Sequence, residues 1–334
     1  MMNSENPKNR VNLMNDVKGI FDLINNSHNI CIAGHKAPDG DCIGSVMALY
    51  SFLQPLNKNL TVCIDGIIPF NYRDFVNEGI IAEDISGHEF DLAFILDCSD
   101  AERLGKFKPV LDNSKVSVCI DHHKTNEGYA NINIVEASMS STGELLYDIL
   151  KASGQEITKE TATYIYIAIL TDTGKFSYSS TSSETHRKAA ELIELGVDIA
   201  GVDNAVYNSK PSNVVKAFIE CIGSIELYYE NRLGVASITQ RTLERNNVDM
   251  GDIDGAAEFI REIREVEVSC VLKEYGEKLT KISLRSKNAI DVSQVSVKFG
   301  GGGHAKAAGF EVEDTIENTK KLIIDTFKEY FGEQ

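Results

Sequence analysis

The first half of the chain alternates short, almost wholly apolar runs with stretches of helical periodicity. Strand-like runs lie near 29–34, 60–65, 91–97 and 115–121. Helical spacing marks Cys42–Leu56, Thr142–Lys151 and Lys159–Leu170. Runs without polar alternation must be covered on both faces, and intervening helices supply that cover, so the pattern predicts a parallel sheet in an α/β fold. Ligands of such sheets bind outside the carboxyl ends of the strands. The apolar runs end in acids and histidines. Ile30–Ala33 precedes His35-Lys36-Ala37-Pro38-Asp39-Gly40-Asp41, Phe94–Leu96 ends at Asp97, and Val116–Ile120 at Asp121-His122-His123. Ile167–Thr171 ends at Asp172, which is read as a further strand-terminal acid. These side chains are expected to meet in one cleft.

The pattern changes further on. Ser183–Leu195 reads as a helix with Gly196 as its C-cap. Residues 198–226 look helical, with Pro211 opening a second piece. Leu233–Thr239, Glu265–Glu274 and Lys278–Arg285 alternate as strands, with a turn at Glu274-Tyr275-Gly276-Glu277. Asp254–Arg264 and Thr315–Phe331 read as helices. The expected organisation is a parallel-sheet domain over 1–200, a helical linker over 201–217 and a smaller α/β domain over 218–334. A net charge of −17 argues against a surface that grips long nucleic acid by its phosphates. Five bases against one acid between Lys281 and Lys306 form a local exception. No apolar stretch is long enough for a membrane span, and the polar N-terminus is no signal peptide. Seven cysteines without a CxxC pair point to a reducing, cytoplasmic setting rather than a disulfide framework or structural zinc.

His35, Asp39, Asp41, Asp97, His122, His123 and Asp172 form the first candidate site. Four carboxylates in one cleft repel unless something positive neutralises them. No arginine or lysine cluster is interleaved in the sequence, so divalent metal is the natural partner. Mixed carboxylate and imidazole donors suit Mn²⁺, with Mg²⁺ or Co²⁺ as substitutes. Asp39 and Asp41 would point apart and serve different ions, and Asp97 could bridge them. Two ions about 4 Å apart can activate water and clamp a phosphoryl oxygen. Taken alone, Asp41 could simply cap a helix starting near Cys42. His28, His88 and His186 read as surface histidines. The second candidate site is Gly300-Gly301-Gly302-Gly303-His304. A helix beginning at His304 would aim its N-terminus and the glycine amides at an anion, with Arg285 and Lys287 in support.

Together these ordered motifs, with Ala307-Ala308-Gly309, resemble the DHH phosphoesterase superfamily with its DHH-associated C-terminal domain. Asp97-Cys98-Ser99-Asp100-Ala101-Glu102-Arg103-Leu104-Gly105 and Ser283-Leu284-Arg285-Ser286 are most similar to the nanoRNase/pAp phosphatase branch. The resemblance implies a hydrolase with two Mn²⁺ per chain. One ion would be held by His35, Asp39 and Asp97, the other by Asp41, Asp97, His122 and Asp172. His123 would face the substrate phosphate, and Arg285, Gly301, Gly302, Gly303 and His304 would bind the rest of the nucleotide. Implied substrates are very short oligoribonucleotides and 3′-phosphoadenosine 5′-phosphate (pAp), with no long duplex and no membrane. A cyclic di-AMP or linear pApA phosphodiesterase, and a non-catalytic nucleotide sensor, stay open as alternatives, as does a homodimer.

Overall fold

A computed structural model describes residues 18–253 and 255–331. The chain divides into two compact units, one ending at Ser209 and the other beginning at Lys210.

The first unit is built on five parallel strands: β1 (Asn29–Ala33), β2 (Asn59–Cys63), β3 (Phe90–Leu96), β4 (Ser114–Asp121) and β5 (Ile132–Val135). Their order is β2-β1-β3-β4-β5, and every pairing is parallel. The order reverses between β1 and β3, which makes their carboxyl ends the switch point where open sheets bind ligands. Both faces are buried, as the unbroken apolar runs require. Ile30, Ile32, Phe94, Leu96, Val118 and Ile120 face one core, while Cys31, Ala33, Ala93 and Ile95 face another with Phe107 and Val110.

Helices α1 (Gly40–Leu53), α2 (Thr142–Ala152) and α3 (Lys159–Asp172) cover the larger core. They approach closely because glycine stands at the crossings. A Cβ on Gly143 would lie 2.3 Å from the Ala168 Cβ, and one on Gly44 would lie 2.6 Å from the Tyr164 carbonyl oxygen. Both contacts centre on the α3 turn that precedes Asp172. Asp172 is therefore the last residue of a helix, not of a strand. The helical spacing over Lys159–Leu170 was the right guide, and the run Ile167–Thr171 looks strand-like only because α3 is buried on nearly all sides. Helices α4 (Ser183–Glu194) and α5 (Ile199–Tyr207) complete this unit. Ser182, one residue before the expected start, caps α4 reciprocally with Thr185.

The second unit begins with α6 (Ser212–Gly223). The segment expected as a linker thus consists of two helices in different units. Its sheet contains β6 (Glu226–Tyr228), β7 (Leu233–Ile238), β8 (Val268–Glu274), β9 (Thr280–Ser286), β10 (Gly302–His304) and β11 (Ala307–Val312), in the order β10-β11-β9-β8-β7-β6. Among the described strands of this sheet only the β7–β8 pairing is parallel. Leu233, Cys270, Ile282 and Leu284 pack on Ile323 and Phe327 of the closing helix, Ile316–Phe331. The other face packs on α6 and on the short helix Ala256–Arg261. No helix among the described residues is long and apolar enough to cross a membrane.

Candidate metal centre

Each predicted acid and histidine of the first half is placed by a different element end. His35 follows β1, Asp97 follows β3, and His122 and His123 follow β4. Asp39 caps α1 by accepting from the Cys42 amide at 3.1 Å, so Asp39 rather than Asp41 is the helix cap. Asp41 lies one turn-position further and is buried. The two carboxylates do point apart: Asp39 is accessible and faces His35, while Asp41 faces His122.

The spacings divide the histidines into two kinds. The His123 Nδ1 lies 2.7 Å from Asp121 Oδ1, which is a hydrogen bond. His35 Nε2 stands 3.6 Å from Asp39 and 3.5 Å from Asp97. His122 Nε2 stands 3.7 Å from Asp41, 3.8 Å from Asp97 and 3.5 Å from Asp172. These gaps are too long for a good hydrogen bond. They suit donors arranged around a cation held at roughly 2.1 Å from each. Three groups converge to within 4.8 Å: His35, Asp39 and Asp97; Asp41, His122 and Asp172; and Asp97, His122 and His123. Asp97 and His122 link them.

The imidazoles are turned for this task from behind. His122 Nδ1 lies 3.4 Å from the Met139 carbonyl, and His35 Nδ1 lies 2.9 Å from the Lys36 carbonyl. A ring that donates Nδ1–H to a carbonyl presents the Nε2 lone pair on its other side. Asp41 is fixed by the start of α2: its oxygens accept from the Thr142 amide at 2.7 Å and the Gly143 amide at 2.9 Å. The Thr142 hydroxyl donates to Asp97 at 2.9 Å. Asp97 itself has φ of 56°, in the left-handed region that is costly for a side chain bearing a Cβ. Strain of that kind persists where surroundings over-determine the residue, typically at functional sites.

The acids are crowded. Burial, and then the charges of Asp97, Asp172 and Asp39, push Asp41 well above the usual carboxylate range. Burial also lifts Asp172, to about 6, with His122 opposing and Asp97 and Asp39 adding to the rise. Crowding in the cleft would raise Asp39 as well although its side chain is exposed, but His35 and the Cys42 amide hold it down to about 2. Protonated acids are what a folded protein settles for when no cation is at hand, so the donor set fits a divalent metal.

Sequence reasoning gave several contributors no role of their own. Asp121 anchors both His123 and, at 2.7 Å, the Asn126 side chain. Thr142, Gly143 and Met139 act through backbone or hydroxyl groups. Their one sequence signal is Ser141-Thr142-Gly143-Glu144, a capping pattern ahead of an apolar helix. Arg103 also reaches the site, with its Nη2 3.1 Å from His35 Nδ1. Its approach to His35 is not evident in the sequence, because Arg103 arrives from the kinked 3₁₀-helical stretch Ala101–Leu111 after β3. His28, His88 and His186 are exposed, as expected, and His186 stacks on Phe176 at 5.1 Å.

The glycine-rich segment is not a helix N-terminus. It follows a helix, Val292–Lys298, and Gly302–His304 pairs with Ala307–Val312 as a hairpin. Two of its glycines have positive φ, 77° at Gly300 before the hairpin and 136° at Gly303 within β10. Gly301 serves close packing, since a Cβ there would lie 2.3 Å from the Gly309 carbonyl. Arg285 lies opposite Ala307 in register, and its Nε donates to Glu258. Lys287 donates to the Ile263 carbonyl at 2.7 Å. Arg285, Gly301, Gly302, Gly303 and His304 all belong to the second unit, and the seven acids and histidines all belong to the first.

The DHH family, N-terminal domain, matches residues 29–169, and the DHHA1 domain matches residues 232–333. The bifunctional oligoribonuclease and PAP phosphatase NrnA of Thermus thermophilus is 30% identical over 304 residues, covering 90% of this chain and 89% of that protein. The chain belongs to the DHH family. Another relative of this DHH protein is the cyclic-di-AMP phosphodiesterase PdeA of Listeria monocytogenes, 25% identical over 94% of this chain and 49% of that protein. Among solved structures, an exopolyphosphatase-related protein from Bacteroides fragilis superposes with a TM-score of 0.88 at 27% identity, over 94% of this chain and 96% of that one. This DHH protein is a phosphoesterase, and enzymes of the family depend on divalent metal.

Proposed function

We propose that the chain is a Mn²⁺-dependent phosphoesterase that hydrolyses very short oligoribonucleotides and dephosphorylates pAp. The observation that carries this reading is the set of 3.5–3.8 Å gaps between the Nε2 atoms of His35 and His122 and their carboxylates. His35, Asp39 and Asp97 would hold one ion, and Asp41, Asp97, His122 and Asp172 a second. Bound there, two divalent ions supply an activated water and neutralise charge on the phosphoryl group.

The chain's own groups do the rest. Asp97 serves both sets. Thr142 and Gly143 aim Asp41 and favour its ionised form, against burial and the neighbouring acids, by giving it two amide donors. His123 is the group turned to the substrate phosphate. Burial alone would lower its pKa, but its hydrogen bond to Asp121 and the nearby charge of Asp97 raise it. A ring held in that way favours the charged, donating form that stabilises a phosphoryl oxygen. Arg285, Gly301, Gly302, Gly303 and His304 are assigned to the nucleotide end of the substrate.

Short substrates follow from charge. With a net charge of −17, a long strand would meet a repelling surface once it left the site. With Mn²⁺ present, kcat/KM for pAp and a dinucleotide is expected to exceed that for a strand of about twenty nucleotides by roughly tenfold or more at matched salt. Equal or faster turnover of the long strand would reject this reading in favour of a processive exonuclease. Faster turnover of cyclic di-AMP than of either short substrate would favour the phosphodiesterase alternative.

A further inference from the structure

The turn that opens α2 sends its polar groups to one side of the metal centre. The Thr142 and Gly143 amides donate to Asp41 at 2.7 and 2.9 Å, and the Thr142 hydroxyl donates to Asp97 at 2.9 Å. The Met139 carbonyl lies 3.4 Å from His122 Nδ1. Asp41, Asp97 and His122 belong with Asp172 to the set assigned to one ion, and of them only Asp97 also serves the other. Backbone groups aim ligands well only where the backbone itself is held.

What holds this turn is a buried ion pair. The Ser141 hydroxyl caps α2 by accepting from the Glu144 amide at 3.0 Å. The Glu144 carboxylate reaches back and accepts from the Ser140 amide at 3.0 Å and the Ser140 hydroxyl at 2.5 Å. The segment is thereby closed on itself, with Thr142 and Gly143 inside the closure and Met139 beside it. Glu144 is 2% exposed, so its charge needs a partner. Lys188 of α4, also buried, stands 3.1 Å from one of its oxygens, and the Thr185 hydroxyl donates to the other at 3.1 Å. Lys188 pairs with Asp148 as well, at 2.7 Å, and lies 3.6 Å from the Met139 sulfur. We propose that Glu144, fixed by Lys188, is a positioning residue for the ion of Asp41, His122 and Asp172, acting through the Met139–Gly143 backbone. This rests on the two-metal reading of the same site. A pair that merely stabilised the fold would serve both ions alike, whereas this turn reaches one set and only the shared Asp97 of the other.

The test uses the full chain, with Mn²⁺ as the probe in titration calorimetry. Glu144→Ala leaves Lys188 paired with Asp148, so no buried cation is stranded. One Mn²⁺ step should weaken by roughly tenfold to a hundredfold, the usual loss when a group behind a metal ligand is removed, and the other should stay within about threefold of wild type. In crystals of the variant at a Mn²⁺ level that fills only the tighter step, anomalous diffraction should place the ion on His35, Asp39 and Asp97. The kcat should fall at that level and recover when Mn²⁺ is raised to refill the weakened site. Glu144→Gln keeps an acceptor for Ser140 and should lose less; it carries the same comparison should the alanine variant fold poorly by circular dichroism. Both steps weakening alike, or neither, would make the pair a general support of the fold and overturn the proposal. So would an ion left on Asp41, His122 and Asp172, or a loss of kcat that raised Mn²⁺ leaves in place. A wild-type protein that takes up no Mn²⁺ would overturn the proposal together with the reading of the site.

Discussion

Asp97→Asn is expected to lower hydrolysis by about a thousandfold or more while raising the melting temperature of the metal-free protein. A thousandfold is about 4 kcal/mol, the scale of losing a buried charge partner. Asp97 is 1% exposed and stands between His35 and His122. A neutral amide there serves neither metal set. Asparagine isolates the charge, because it tolerates the left-handed backbone at this position and its carbonyl can still accept from Thr142. Without metal, the same change removes one of four mutually repelling carboxylates. Relief of about 1 kcal/mol would raise the melting temperature by roughly 2–4 °C in a unit of this size. Steady-state kinetics and thermal melts in chelator read both effects. Retention of more than about a tenth of wild-type activity, a loss below 1.4 kcal/mol, would contradict the shared role of Asp97.

Chelation is expected to abolish activity and to reverse the pH dependence of stability. In the metal-free protein Asp172 is raised to about 6 and Asp41 is also raised, whereas unfolded aspartates titrate near 3.9. Between about pH 4 and 6 the folded state therefore binds more protons than the unfolded one, and stability falls as pH rises through that window. The depressed acids Asp39, Asp121 and Glu144 act in the opposite sense, but their contribution is lost chiefly below the ordinary carboxylate range. Metal needs the ionised acids, so in saturating Mn²⁺ stability should rise across the same window and activity should fall below about pH 6. At a hundred times the dissociation constant, one bound ion adds about 2.7 kcal/mol. Melting curves from pH 5 to 7.5 with chelator and with Mn²⁺ should slope in opposite directions. Parallel slopes would count against metal binding at these acids.

The parallel sheet was legible because buried parallel strands leave unbroken apolar runs, and Asp97 and Asp121 marked the ends of β3 and β4 correctly. Asp172 was misplaced on a strand although helical spacing marked Lys159–Leu170, because the short run Ile167–Thr171 taken alone looks like a buried strand. The hairpin at Gly302–Val312 was missed because four glycines signal freedom of φ without saying what turn they serve. The donors that position the acids were also hidden. An amide of Gly143 or a carbonyl of Met139 carries no residue-type signature, and only tertiary packing brings the one to Asp41 on α1 and the other to His122 after β4.

Anomalous diffraction at the manganese edge from crystals grown with Mn²⁺ tests the central claim most directly. Two ions per chain should appear, one contacting His35, Asp39 and Asp97, the other contacting Asp41, Asp97, His122 and Asp172. A single ion, or ions that leave Asp97 uncoordinated, would contradict the account.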